Sequence, residues 1–347
     1  MSRIYLDHNA TTPLRPEARE AMLAAMDLGG NPSSVHAEGR AARALVERSR
    51  ETILEALGAT QSDLVFTSGA TEAAALALAD RDLRSAPVEH DAVLAWTDAR
   101  LPVDADGRVT LADPAASTLQ LANSETGVVQ DLPSGLAVSD ITQGVGRLPY
   151  AHDWTGVRMA ILAAHKFGGP KGAGALIVPR GHALEARTKG GGQEMGRRAG
   201  TENVAAIAGM AAAAQAALRD LADGVWDRVA QFRNILESAL EAESPDTISV
   251  GRQSRRIPNT SLILTPGWKG ETQVMAMDLA GFAVSSGSAC SSGKVRASRT
   301  LRAMGYDEGT AACALRVSLG PQTTEQEVLR FVDAFIAARR KQRNRAA

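Results

Sequence analysis

Cysteine is nearly absent: Cys290 and Cys313 are the only two in 347 residues. That is too few for a disulfide framework, and neither has the CxxC spacing of a zinc site, so no metal is expected and a reducing, cytoplasmic setting is. An excess of either charge is lacking too. Thirty-eight Lys and Arg against 39 Asp and Glu leave a formal charge of −1, without the basic field that nucleic acid attracts or the bulk of an acidic tail. No stretch reaches the ~20 apolar residues of a membrane span. The opening Met1-Ser2-Arg3-Ile4-Tyr5-Leu6-Asp7-His8 carries charges where a signal peptide needs an apolar core. Neither a nucleic-acid nor a membrane partner is therefore expected. Aromatics are scarce at 4%, so packing must rely on Ala, Leu and Val. What remains is 44% apolar and 22% charged residues with 32 glycines, the composition of a globular chain long enough for one large core and a second domain.

The order of local signals is α/β. A short strand at Ile4-Tyr5-Leu6 precedes a proline-started helix from Pro13 to Met26, loop chemistry at Gly29-Gly30-Asn31-Pro32, and a second helix over about Gly39 to Leu57. Leu64-Val65-Phe66-Thr67 reads as a strand that breaks into Ser68-Gly69-Ala70-Thr71-Glu72 ahead of an Ala/Leu-rich helix, the arrangement in which a helix N-terminus faces a ligand crevice. Short apolar runs at Ala92 to Trp96, Thr118 to Ala122, Met159 to Ala164 and Gly174 to Pro179 read as further buried strands. An Ala-rich helical stretch from Asn203 to about Ala242 ends before Pro245, where strand signals resume at Ile248-Ser249-Val250 and Thr260 to Leu264. The expected division is a large domain over 15–245 and a small domain from 1–14 and 246–347. Near the end, Val328, Phe331, Val332, Phe335 and Ile336 form the one-sided stripe of a packed terminal helix.

The segment with the most chemistry is Ala164-His165-Lys166-Phe167-Gly168-Gly169-Pro170-Lys171-Gly172. A lysine where a buried strand enters a glycine-proline turn can be desolvated, which lowers its pKa and suits it to a Schiff base with a carbonyl cofactor. Taken singly, a lysine beside a turn is more often a surface residue. Lys171 does not stand in G-x-x-x-x-G-K-[ST], so this is not a nucleotide phosphate loop. Asp140 and Gln143 supply an acid to face a pyridine nitrogen and an amide to meet a ring oxygen, although each alone also suits a turn or cap. Ser68 to Thr71 offer hydroxyls and backbone N–H groups for a phosphate, or a plain helix cap. His90 offers a flat ring for stacking and proton transfer, or a structural histidine. Cys290 lies in Ser285-Ser286-Gly287-Ser288-Ala289-Cys290-Ser291-Ser292-Gly293-Lys294, a polar stretch with nothing to bury and with Lys294 and Arg296 nearby to favour a thiolate. Cys313, in an Ala-rich helical context, reads as packing.

In order along the chain, these pieces resemble the pyridoxal-phosphate enzymes of aminotransferase class V, and within them the cysteine desulfurases. The resemblance runs from Tyr5-Leu6-Asp7-His8-Asn9-Ala10-Thr11-Thr12-Pro13 and Gly30-Asn31-Pro32-Ser33-Ser34-Val35-His36 through Phe66-Thr67-Ser68-Gly69-Ala70-Thr71-Glu72, Asn123-Ser124-Glu125-Thr126-Gly127 and His165-Lys166. It continues at Gly190-Gly191-Gly192-Gln193-Glu194 and Arg198-Ala199-Gly200-Thr201-Glu202-Asn203, and ends at Ser288-Ala289-Cys290 and Leu315-Arg316-Val317-Ser318.

The resemblance implies aminotransferase fold type I: a mostly parallel mixed sheet in a large cofactor domain, with a smaller α+β C-terminal domain. It implies pyridoxal 5'-phosphate held by Lys166, with His90 stacked on the ring as acid and base, Asp140 at the pyridine nitrogen and Gln143 at the phenolate oxygen. Ala70, Thr71 and His165 would bind the phosphate, and Thr201 would reach the phosphate of a neighbouring subunit in a homodimer with shared sites. Asn123 and Arg316 would hold the substrate carboxylate. The implied reaction turns L-cysteine into L-alanine and passes the sulfur, as a Cys290 persulfide on a mobile loop, to a sulfur acceptor or iron–sulfur scaffold protein. A selenocysteine lyase or other class V reaction, or a low-activity scaffold in a sulfur-transfer complex, are the alternatives.

The chain departs from that family at Ala163, where a phosphate-binding serine is usual, and at Ser124 and Val138. It is also compressed between His90 and Asn123 and between Asn123 and Asp140. A parallel crossover normally takes a dozen or more residues with a helix, so a trimmed large domain with shortened crossovers and a more exposed sheet is the expectation.

Overall fold

The computed structural model describes residues 3–287 and 297–346. The apolar runs assemble as a mixed sheet. Ser62–Thr67 pairs antiparallel with Gly174–Pro179, which pairs antiparallel with Met159–Ala163, which in turn pairs parallel with Val138–Asp140. Single parallel bridges from Val138 to Thr118 and from Ser117 to Arg84 carry the sheet on to the parallel pair Arg84–Ser85 and Asp98–Ala99. The sheet is mostly parallel, and only Gly174–Pro179 runs against its neighbours. Thr67, Ala163 and Asp140 therefore all end at one edge, where ligands of such sheets bind.

Both faces are covered because the strands are apolar on both faces. Leu64, Phe66, Ala160, Leu162, Ala175 and Ile177 share one core with the helices Pro16–Met26, Ala37–Ala56 and Val204–Ala222. The alternate residues Val65, Met159, Ile161, Leu176 and Val178 pack instead with the helix Ala70–Leu78, as the period of two demands. The helix Val204–Ala222 is long and apolar enough to span a bilayer by length and composition, unlike the reading from apolar runs alone. It lies between Pro16–Met26 and Ala37–Ala56, which accounts for its buried alanines.

A second core surrounds an antiparallel sheet in the order Ser285–Ser286, Ala314–Ser318, Thr260–Leu264, Ile248–Ser249. The expected terminal stripe is buried there, with Val328, Phe331, Val332, Phe335 and Ile336 packed beside Ile4, Leu6 and Phe282. Trp226, Val229, Leu236 and Leu240 of the helix Val225–Glu243 join this core too. Gly224, in the left-handed conformation at φ +69°, breaks the chain between the two long helices Val204–Ala222 and Val225–Glu243. The two helices on either side of Gly224 look like one run because both are rich in alanine and leucine.

Shortening falls where expected. Only the four-residue helix Asp91–Leu94 connects Arg84–Ser85 to Asp98–Ala99, and no helix lies between Leu121 and Val138. The run Ala92 to Trp96, expected as a strand, is helical because His90 Nδ1 accepts the Ala92 N–H at 3.1 Å and caps a turn. The sheet is not laid bare. Leu119 and Leu136 are buried with Val157, and the loop residues Val109, Leu111 and Leu132 pack over them in place of a crossover helix. Phe331 is fully buried between Phe282 and Phe335. Phe331→Ala should lower unfolding stability by about 3–5 kcal/mol; thermal or urea unfolding showing less than about 1 kcal/mol would contradict this packing.

Candidate active site

At the strands' carboxyl edge lies a cavity of about 580 Å3. The topology explains its lining. Ser62–Thr67 leads through Gly69 into the helix that starts at Ala70, Val138–Asp140 ends in Asp140, and Met159–Ala163 runs into His165 and Lys166. Ala70, Thr71, His90, Asp140, Gln143, His165, Lys166 and Arg316 all line the cavity. Asn123 and Thr201 are not among its lining residues, and Cys290 lies outside the described residues, as do Lys294 and Arg296.

The helix Ala70–Leu78 has no side-chain cap at Gly69. Its first N–H groups have no carbonyl within the helix to bind, so they suit an anion. Close approach is enforced by Gly174: a Cβ there would lie 2.6 Å from the Gly69 backbone. His165 Nδ1 is 3.1 Å from Thr11 Oγ1. Burial first, and then the charges of Lys166, Lys171, Arg147 and His90, push the His165 pKa down to about 4, so the ring is neutral at pH 7. Ala163 contributes only a methyl to the cavity. This donor set fits a phosphate.

Lys166 Nζ donates to the carbonyls of Asn9 at 2.7 Å and Ala10 at 2.9 Å. The Asp140 carboxylate accepts from Thr142 N at 2.9 Å, which fixes its place at the strand end. His90 Nδ1 accepts the Ala92 N–H at 3.1 Å, an arrangement that assigns a ring proton to Nε2. Gln143 Nε2 donates to Asn9 O at 3.1 Å, and its Oε1 accepts from Arg147. A lysine amine, an acid and an amide donor beside an anion cradle are the groups that a phosphorylated aldehyde cofactor with a basic ring would need.

Arg316 is paired with Asp7 at 2.9 Å and donates to Ser124 O at 3.2 Å. Among the described residues its buried Nε has no partner, which leaves a donor for a further acceptor. Asn123 is committed elsewhere: Nδ2 donates to Val88 O at 2.9 Å and Oδ1 accepts from the N–H groups of Glu125 and Thr126. Thr201 is exposed.

Several groups around the cavity receive no role from the sequence. Asn9 and Arg147 are buried beside Lys166. His8 is buried too, with its pKa pushed down to about 3 by burial and then by the charges of Arg147 and Arg15. Glu125 is half-buried and accepts from Ser298 at 2.6 Å and Thr300 at 3.1 Å, which ties the Ser124 turn to the residues at 298–300. Glu89 accepts the Gln120 N–H at 2.6 Å, and its other oxygen is buried without a partner among the described residues. Burial, and then the Asp140 charge, raise the Glu89 pKa to about 8.

A family model described as Aminotransferase class-V matches residues 4–331. A cysteine desulfurase of Cereibacter sphaeroides is 39% identical over 373 aligned positions that cover 96% of this chain and 95% of the relative. That alignment is longer than the chain, so the relative carries segments that this chain lacks. An IscS-like cysteine desulfurase of Mycobacterium tuberculosis is 36% identical, with 93% of each chain covered. Among solved structures, a NifS-like protein from Rickettsia africae superposes with a TM-score of 0.88 at 31% identity, over 97% of this chain and 99% of that one.

Glu89 generates a pH prediction. Between its ordinary value of 4.5 and about 8, the folded state holds a proton that the unfolded state has lost, so stability falls as pH rises. Glu89→Gln keeps an acceptor for Gln120 and removes that titration. Its stability relative to the wild type should climb from pH 5 to 8 by up to about 1.4 kcal/mol per pH unit; parallel urea-unfolding stabilities would show that Glu89 is not a buried neutral acid.

Proposed function

The chain belongs to the class-V aminotransferase family, and on that premise we propose how its cavity works. It is a pyridoxal-phosphate-dependent cysteine desulfurase, which converts L-cysteine to L-alanine and hands on the sulfur. The observation that carries this is the convergence of Lys166, Asp140, Gln143, His90 and Arg316 with the helix start at Ala70 in one cavity. When bound, pyridoxal phosphate supplies a carbonyl for an amine and a ring that takes up electron density from the substrate carbon.

Each residue then has a task that its surroundings support. Lys166 Nζ would hold the cofactor through its carbonyl carbon, and the N–H groups at Ala70 and Thr71 with neutral His165 would hold the phosphate. Asp140 keeps the ring nitrogen protonated, and Gln143 donates to the ring oxygen. His90, which lines the cavity, would stack on the ring and move protons through Nε2, alternating with Lys166 Nζ. Arg316 holds the substrate carboxylate through the side of the guanidinium not engaged by Asp7. Asn123 shares that task by supporting the Ser124 turn whose carbonyl accepts from Arg316.

The Cys290 thiolate attacks the substrate sulfur; as the S–S bond forms the C–S bond breaks, and the carbon takes a proton from Lys166 or His90. The products are alanine and a persulfide on Cys290, and the sulfur then passes to an acceptor or an iron–sulfur scaffold protein. A reducing cytoplasm would keep Cys290 available. In this reading the enzyme is a homodimer in which Thr201 reaches the partner's phosphate, supported by the exposure of Leu23, Met26 and Val35 in the single chain.

Alanine formed from L-cysteine, with sulfide released under reductant, tests the assignment. Cys290→Ala should lose at least about 100-fold in alanine formation while keeping the bound cofactor's visible band, and Lys166→Ala should lose both. Equal turnover by wild type and Cys290→Ala would contradict the desulfurase reading.

A further inference from the structure

Behind the cavity wall lies a guanidinium to which the roles above give no task. Arg147 stands four residues after Gln143 in the same turn and is 3% exposed. Its Nη1 donates to Gln143 Oε1, to Asn9 Oδ1 at 3.1 Å and to Gln143 O at 3.4 Å. Its Nη2 donates to His8 O at 3.3 Å and Lys166 O at 3.0 Å. All these acceptors are neutral, and among the described residues Arg147 has no ion pair. Burial, and then the Arg316 charge, push its pKa down to about 9, so it is charged at neutral pH. A buried cation surrounded only by neutral oxygens is costly unless it serves an anion nearby.

The contact has a directional consequence. A guanidinium has donors only, so the Gln143 amide must turn its oxygen to Arg147 and its nitrogen to Asn9 O and the cavity. The opposite orientation would set donor against donor at Arg147 and acceptor against acceptor at the Asn9 carbonyl. The cation also polarises the amide, which strengthens its N–H as a donor.

We infer that Arg147 is a positioning residue that locks Gln143 as a hydrogen-bond donor to an anionic oxygen on the cofactor ring. This rests on the cofactor reading above. A strengthened donor favours the form of the bound cofactor whose oxyanion is least shielded, the form with the lysine linkage deprotonated. Arg147 therefore lowers the pH at which that linkage titrates. The other titratable or charged groups lining the cavity are Glu72, His90, Asp140, His165, Lys166, Lys171 and Arg316, and all stay in place when Arg147 is changed.

The test loads the full-length protein with pyridoxal phosphate and follows the visible band against pH, alongside the cofactor dissociation constant from equilibrium dialysis. Arg147→Met should raise the titration midpoint by about one pH unit and weaken cofactor binding several-fold. Gln143→Met should shift the midpoint the same way, and in that background Arg147→Met should add less than half of its own shift. Should Arg147→Met not load cofactor, Arg147→Lys decides: one ammonium cannot reproduce the fork to Gln143, Asn9 and Lys166, so a smaller rise is expected. An unchanged midpoint in the variant that loads, or a full shift in the Gln143→Met background, would overturn the inference. The cofactor reading fails separately, if the wild type shows no visible band that Lys166→Ala removes.

Discussion

Asn9 is hydrogen-bonded through every polar group it has, and the site depends on that. Its N–H donates to Ser318 Oγ, and its Nδ2 to Ser124 O and Thr260 Oγ1. Its Oδ1 accepts from Arg147 and Asn259, and its carbonyl accepts from Lys166 Nζ and Gln143 Nε2. Two of these partners, Ser318 and Thr260, belong to strands of the second sheet, while Lys166 and Gln143 follow strands of the first. One residue near the N-terminus thus sets the lysine against the amide and both against the second core. Asp7, two residues earlier, does the same for Arg316. A satisfied buried network of this kind is rigid, and removing one member leaves several groups unpaired at once.

Chain direction does the rest. Three strands deliver their carboxyl ends to one edge, so a helix start, an acid and a lysine that are far apart in sequence arrive together without long side chains reaching across the protein. Gly174, where the one antiparallel strand begins, keeps the sheet edge close to the helix start. Because the cofactor side of the sheet is built from strand ends, the chain can lose crossover helices on the far part of the sheet and keep the cavity lining. The loops at Val109, Leu111 and Leu132 then bury what those helices would have covered.

Much of this was legible in the residues. The strand–turn–helix at Ser68 to Thr71, the Asp140 and Gln143 pair and the His165-Lys166 turn carry local signals, and the structure brings them together. The terminal stripe from Val328 to Ile336 was legible because one helix face suffices to define it. Other features were not. Ala92 to Trp96 is apolar enough for a strand, and only the His90 cap decides for a helical turn. Arg147, Glu89 and His8 look like ordinary surface residues in sequence, since burial of a charged group is decided by distant segments.

The proposed chemistry requires Lys166 to be the amine that takes the cofactor, in a cavity that holds a second lysine, Lys171. Reduction of the holoenzyme with borohydride, followed by peptide mapping by mass spectrometry, tests this most directly. A single pyridoxyl adduct on Lys166 is the predicted result; an adduct on Lys171 alone, or none on the cofactor-loaded protein, would contradict it.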